Sequence, residues 1–325
     1  MRKKLNYTPE LDVLNAEEHT LLDRLCLSVR EFVRKSPELS KVPYRTRDAH
    51  ATTYAVLKGK FIVDEHFEER AVFPAASLDA LLRISNANMK VVKGRAIPAY
   101  GFSLKLEHMG NTTANFPFVN FPLFPFDNVK TFLKLFISLN KFFCARMIGK
   151  IRNAAFLFFY ILRTVPRMMH ASFLKNIRLF IKKRNDFVLS WSYHSIGVYR
   201  LGNHLVKVKL VPDIIQSVED PNYPEVSVAE YMIRHGRFTA RVLVQYAYDT
   251  ENQPVNNLHR EWRNSPFVQI GTLDFTSVLR KNDPRQELFS FNPFENEESF
   301  QPVGRIQQLR KKAYEASYEA RNGPF

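Results

Sequence analysis

The chain has 325 residues, 45% of them apolar, enough to fill a real core and to set aside wholesale disorder. Its net charge is +15, and its two cysteines, Cys26 and Cys144, form neither a disulfide framework nor a CxxC pair. That usage fits a reducing compartment and argues against a structural zinc site.

Arg2, Lys3 and Lys4 are not followed by an apolar run and a small-residue cleavage site, so no secretion signal is read. Residues 16–34 read as an amphipathic helix, with Leu21, Leu22, Leu25, Cys26, Val29, Phe32 and Val33 on one stripe. With the irregular stretch after it, this makes an N-terminal arm over 1–40. Strand character follows at 51–64, again at 99–107, where Tyr100, Phe102, Leu104 and Leu106 alternate with small or polar residues, and at 116–121. Helices dominate from about 130 to 183. Strands return at 187–193, 198–200, 205–211, 240–248 and 267–275, and a last helix covers about 303–320. Strands on both sides of a helical insert point to an α+β fold, an antiparallel barrel or curved sheet with a C-terminal helix.

The insert is compositionally distinct. From Asn128 to Arg184 there are thirteen Lys or Arg and no Asp or Glu, among many Phe, Leu and Ile. Its longest uncharged run, Asn153 to Leu162, has ten residues, too short to span a bilayer. Helices with an apolar core face and a basic solvated face would read this way. So would a surface for anionic lipid or long-chain carboxylates. Nucleic acid is not the expected partner, since the aromatics sit at helical spacing among aliphatics and no nucleic-acid motif is present.

Four positions stand out chemically. Arg310 and Tyr314, four apart on the last helix, share one face. A fixed positive charge beside a phenol favours its anionic form, although a packed Tyr beside a solvated Arg has the same spacing. His50 precedes the first strand and would serve equally as a satisfied edge histidine. Asn120 is an amide in an apolar strand, either a structural hydrogen bonder or a donor facing a site.

Four segments together resemble the haem catalase superfamily, particularly its shorter catalase-like members and the allene oxide synthases. They are Arg-Asp-Ala-His (47–50), Phe-Val-Asn-Phe-Pro-Leu-Phe-Pro-Phe-Asp-Asn-Val-Lys-Thr-Phe (118–132), Gly-Val-Tyr-Arg-Leu-Gly-Asn-His-Leu-Val-Lys-Val-Lys-Leu-Val-Pro (197–212), and Ser-Phe-Asn-Pro-Phe (290–294) with Arg310-x-x-x-Tyr314. The resemblance spans about 42–321 and implies a catalase-like haem domain over 41–325, with 128–185 as a basic, Phe-rich insert. It implies haem b with Tyr314 as the iron ligand supported by Arg310, His50 and Asn120 as distal catalytic groups, Arg47 near a propionate, and Phe132 over a haem face. For Phe132 ordinary core packing is as good a reading, and Tyr318 lies one turn beyond Tyr314 as a competing phenol.

The implied activity is haem-dependent cleavage of the O–O bond of organic, notably fatty-acid, hydroperoxides. The alternatives are a hydrogen peroxide catalase or a non-catalytic lipid-binding relative. The expected location is cytoplasmic, with peripheral contact to an anionic membrane through 128–184. Several departures count against hydrogen peroxide dismutation more than against haem. Thr52, Thr53 and Tyr54 replace the family's glycine-rich run, Ala49 precedes the histidine, and Val-Phe-Pro-Ala-Ala (72–76) replaces Phe-Ser-Thr.

Overall fold

A computed structural model describes residues 2–92, 97–126, 129–169, 171–213, 224–279 and 288–323. Asp127, Asn128, His170, Pro324 and Phe325, which fall within segments read above, lie outside them.

Ten strands and six helices are formed by the described residues. Helix α1 (Ala16–Ser40) opens with a capping box. The Asn15 side chain accepts from the Glu18 amide at 2.9 Å, and Glu18 Oε2 accepts from the Asn15 amide at 2.9 Å. Then come β1 (Thr52–Val63), β2 (Ser77–Asn86), β3 (Tyr100–His108) and β4 (Asn111–Val119). The turn between β3 and β4 is Met109-Gly110, both at positive φ (49° and 81°), as a two-residue hairpin loop requires. The insert follows as α2 (Val129–Cys144), α3 (Met147–Met168) and α4 (Ala171–Lys182). After it come β5 (Tyr193–His194), β6 (Val198–Leu201), β7 (His204–Pro212), α5 (Pro224–His235), β8 (Phe238–Tyr246), β9 (Phe267–Val278), β10 (Pro302–Val303) and α6 (Arg305–Asn322).

The strands run in the order β10-β6-β7-β5-β4-β3-β2-β1-β9-β8, and β7 also pairs with β8. That pairing closes an eight-stranded antiparallel barrel, with β6 and β10 as an extension beside β7. Closure leaves no bare edge around the barrel. Its interior is filled from alternate positions: Leu82 and Ile84 of β2, Phe102 and Leu104 of β3, Leu273 and Phe275 of β9. Val228 and Met232 of α5 join the same core.

A second core lies outside the barrel, where α1 packs against α2 and α6 through Leu21, Leu25, Val29, Leu133, Ile137, Leu309 and Ala316. Buried Glu18 of α1 is paired there with Arg305 of α6, whose Nε donates to Oε2 at 3.2 Å. The α+β barrel with its helical insert and terminal helix matches the sequence reading.

Several segments differ from it. The stretch read as a strand over 187–193 reaches one only at its end, where Tyr193 opens β5: residues Val188–Ser190 form a 3-10 turn, held by the Tyr193 hydroxyl donating to the Val188 carbonyl at 2.6 Å. Strand β2 and helix α5 were not anticipated, β2 because its outward residues are as irregular as a loop's.

Candidate functional site

The floor of the site is the outer face of the barrel. Arg83 of β2 and Gly101 and Ser103 of β3 alternate with the core residues and point the other way, toward α1, α2 and α6. Between that face and the helices lies a mostly apolar cavity of about 370 Å³. Leu25 of α1, Phe132, Leu133 and Phe136 of α2, and Leu309, Arg310 and Tyr314 of α6 form much of its wall.

His50 enters from the barrel side at φ 55°, a left-handed conformation that non-glycine residues adopt rarely. Two contacts hold it there. Arg83 Nη2 donates to the His50 carbonyl at 2.7 Å, and its Nε donates to Thr53 Oγ1 at 3.0 Å. The imidazole fills the space above Gly101: a Cβ on that glycine would stand 2.5 Å from both Cε1 and Nδ1 of the ring.

Ser85 sets the tautomer. Its hydroxyl donates to the Gly101 carbonyl at 3.1 Å, and its oxygen lies 3.2 Å from Nδ1 of His50. A serine has one proton to give, so the contact to the ring is Nδ1–H donating to Oγ, and Nε2 keeps its lone pair. Burial pushes the His50 pKa down to about 3, with the charges of Arg83, Arg310 and Arg47 adding to the effect. The ring is therefore neutral at pH 7, with one nitrogen ready to accept a proton.

Helix α6 supplies the other side. Arg310 Nη2 donates to the Tyr314 hydroxyl oxygen at 3.0 Å, and Nη1 donates to Gln307 Oε1 at 2.7 Å. Gln307 Nε2 in turn donates to the Val198 carbonyl at 3.2 Å, which ties the helix to β6. Burial alone would lower the Arg310 pKa, but Tyr314 and Tyr199 outweigh it and hold it raised. Tyr318 reaches the cavity rim but is exposed, beneath the Arg321 guanidinium.

Arg47 lines the cavity and donates from Nη2 to the Phe289 carbonyl at 2.9 Å. Beside it Asp48 accepts from Ser317 Oγ at 3.1 Å. Burial raises the Asp48 pKa to about 6, against the pull of its hydrogen bonds and of Arg321 and Arg47. Phe132 faces the cavity from α2, its ring 4.8 Å from Phe124 and 5.8 Å from Phe136 between centroids.

The structure thus gathers Arg47, His50, Phe132, Arg310 and Tyr314 around one space. Asn120 is not among them. Its Oδ1 accepts from the Tyr100 amide at 2.9 Å and its Nδ2 donates to the Pro98 carbonyl at 2.8 Å. It lines a neighbouring cavity with Phe121, Trp191 and Lys207 instead. Val119 takes the place beside His50, paired across the strands with Gly101.

Arg83, Ser85, Gly101, Asp48 and Gln307 were missed at the sequence level. The signal for two of them was present: Leu78, Ala80, Leu82 and Ile84 alternate, which puts Arg83 and Ser85 together on the outward face.

No family model and no curated protein matches the sequence. Solved structures do match. Catalase A from Saccharomyces cerevisiae aligns with a TM-score of 0.69 over 99% of this chain and 68% of its own, at 14% identity. A fungal catalase gives 0.68 over 100% and 66%, at 16% identity, and a bacterial catalase 0.67 over 99% and 64%, at 14%. The chain therefore has the catalase-like fold, and it spans about two thirds of the length of these relatives. No helix among the described residues is long and apolar enough to cross a membrane.

Proposed function

We propose that the chain is a haem enzyme that cleaves the O–O bond of hydroperoxides, with organic hydroperoxides as its favoured substrates. The observation that carries this reading is a single cavity shared by two groups. One is a tyrosine oxygen hydrogen-bonded by an arginine; the other is the His50 imidazole, held by Ser85 at Nδ1.

The residues fit ferric haem b. Tyr314 offers an oxygen suited to iron, and the Arg310 guanidinium donates a hydrogen bond to that oxygen. Four arginines, Arg47, Arg83, Arg310 and Arg321, line the cavity against one aspartate, Asp48. Guanidiniums lining an apolar cavity suit anionic groups, and the two propionates of haem are such groups. Phe132 provides an aromatic surface for the ring.

Bound haem would supply the two electrons that O–O cleavage requires, and a second peroxide molecule or an external organic reductant would return them. The chain's own contribution is proton management and shape. His50 Nε2 takes the proton of the hydroperoxide and returns it to the departing oxygen, which leaves as an alcohol or as water. Ser85 keeps Nδ1 protonated throughout, so the same nitrogen is always the one that works. Val119 and Phe291 keep water away and present hydrocarbon to the substrate.

The wall beside His50 is the reason for preferring an organic substrate. With the Asn120 amide bonded to the backbone, Val119 presents a carbon surface where a polar donor would suit hydrogen peroxide. Hydrogen peroxide disproportionation is the second reading, supported by the catalases that share the fold.

The test is an absorption spectrum of the haem-loaded chain and of Tyr314→Phe, followed by turnover with hydrogen peroxide, tert-butyl hydroperoxide and a fatty-acid hydroperoxide. The expected result is a phenolate charge-transfer band lost in the variant, and faster consumption of the organic peroxides. A chain that takes up no haem would point to the non-catalytic alternative. Oxygen evolution from hydrogen peroxide as the dominant activity would reject the substrate preference.

A further inference from the structure

The insert carries a surface that the cavity does not use. Helix α3 packs against α2 by one face. Leu157 and Thr164, seven residues apart, are buried there, and the Tyr160 hydroxyl donates to the Thr131 carbonyl at 3.2 Å. A surface helix ordinarily turns polar residues outward on the opposite face. Here that face is Met147, Ile148, Ile151, Phe158, Phe159 and Leu162, all exposed, with Ile148 at 87%, Phe159 at 69% and Phe158 at 59%. Single exposed apolar residues need no explanation, but a contiguous stripe of large ones marks an interaction surface.

The charges beside the stripe identify what it meets. Lys150, Arg152 and Arg163 lie along α3, and α4 adds Lys175, Arg178 and Lys182 beside the exposed Leu174 and Leu179. None of these six cations is paired with a carboxylate among the described residues, whereas Lys130 and Lys134 of α2 are satisfied by Glu17. No Asp or Glu occurs anywhere from 128 to 184.

We propose that α3 and α4 dock on an anionic phospholipid membrane, with α3 lying in the headgroup plane and its apolar stripe in the acyl boundary. Apolar side chains flanked by Lys and Arg are the composition such helices have: the stripe enters hydrocarbon while the cations reach lipid phosphates. A second copy of the chain is the poorer occupant. A two-fold interface brings the same patch to itself, and this patch would set unpaired cations against their own images. Helix α2, which supports α3 from beneath, also gives Phe132, Leu133 and Phe136 to the cavity, so one helix separates the membrane face from the proposed haem site. The inference stands whether or not haem occupies that cavity.

The test is vesicle flotation of the full chain, with phosphatidylcholine alone and with phosphatidylcholine containing phosphatidylserine. The expected result is binding to the anionic vesicles only, weakened by raising salt from about 0.1 M to about 0.5 M. Phe158→Glu and, separately, Lys150→Glu with Arg163→Glu should each reduce the bound fraction about tenfold or more. These positions are exposed, so the variants keep the fold, which near-ultraviolet circular dichroism checks. Phe158→Trp adds a direct readout, a blue-shifted emission when anionic vesicles are added. Absence of flotation at low salt overturns the proposal, as does flotation that Phe158→Glu leaves unchanged. A concentration-dependent dimer in sedimentation, abolished by Phe158→Glu, would assign the face to a second copy instead.

Discussion

The imidazole of His50 occupies the volume that a side chain on Gly101 would need, with the virtual Cβ 2.5 Å from Nδ1. The glycine on β3 and the strained histidine ahead of β1 are thus one unit, joined through Ser85 on the strand between them. Gly101→Ala must push the ring aside or shift the strand. The expected outcome is a stability loss of about 1–3 kcal/mol from overpacking. With His50 in the proposed proton-transfer role, peroxide turnover should fall about 100-fold, the effect of displacing such a group by roughly an ångström. Haem uptake should persist, because Tyr314 belongs to α6. Urea unfolding, the haem spectrum and turnover measure the three effects, and wild-type turnover in this variant would detach His50 from the reaction.

Ser85→Ala removes the acceptor that fixes the ring. The Nδ1–H is then buried without its partner, at a cost of about 1–3 kcal/mol, and the other tautomer becomes accessible. Turnover should drop about tenfold or more, while Ser85→Thr, which keeps a hydroxyl, should recover most of it. A simple packing role would give a different result, with alanine tolerated and threonine harmful. Comparing the two variants at equal haem loading separates them.

His50 and Asp48 make opposite contributions to acid stability in the haem-free chain. The folded-state pKa of His50 is depressed to about 3 from 6.5, so the unfolded chain binds the extra proton. Its contribution is present above pH 6.5 and is lost as pH falls toward 3. Asp48 is raised to about 6 from 3.8, so its contribution is complete below pH 3.8 and lost as pH rises through 6. Between these limits the two offset each other. Asp48→Asn should therefore steepen the loss of stability on acidification, and His50→Gln should flatten or reverse it. Urea midpoints of the two variants, each relative to wild type from about pH 4 to about pH 7, give the slopes. Parallel curves for all three proteins would mean that neither group is buried as the structure has it.

Sequence periodicity carried much of this fold because its elements bury one face. The stripe from Leu21 to Val33 and the alternation from Tyr100 to Leu106 can be read directly. The spacing of Arg310 and Tyr314 becomes a hydrogen bond because both side chains lie over the same turn of α6. Periodicity says less where the outward face of a strand is itself part of a site. In β2 the residues between the core positions are Asp79, Leu81, Arg83 and Ser85, a mixture that hides the alternation. Asn120 shows another limit. A buried amide is visible in the sequence, but neighbouring extended residues face opposite sides, and a difference of one position gives the cavity Val119 and the neighbouring pocket Asn120. Pairings between distant segments, such as Ser85 with His50 or Gln307 with the Val198 carbonyl, have no local signature.

Gln307 is the residue through which β6 positions the proposed ligand. It accepts from Arg310 with Oε1 and donates to Val198 with Nε2, and it packs so closely on Gly197 that a Cβ there would overlap its amide. Gln307→Leu keeps much of the shape and removes both hydrogen bonds. Arg310 then has a buried N–H without its acceptor, and stability should fall by about 1–3 kcal/mol. The guanidinium is also free to swing away from Tyr314, so the phenolate band of the haem-loaded variant should shift or weaken at unchanged haem content. Gln307→Glu retains an acceptor for Arg310 and should restore the band, although it gives up the bond to Val198. If leucine and glutamate variants share the wild-type band, Arg310 holds Tyr314 without help from Gln307, and the chain of contacts from β6 to the tyrosine oxygen has no influence on the ligand.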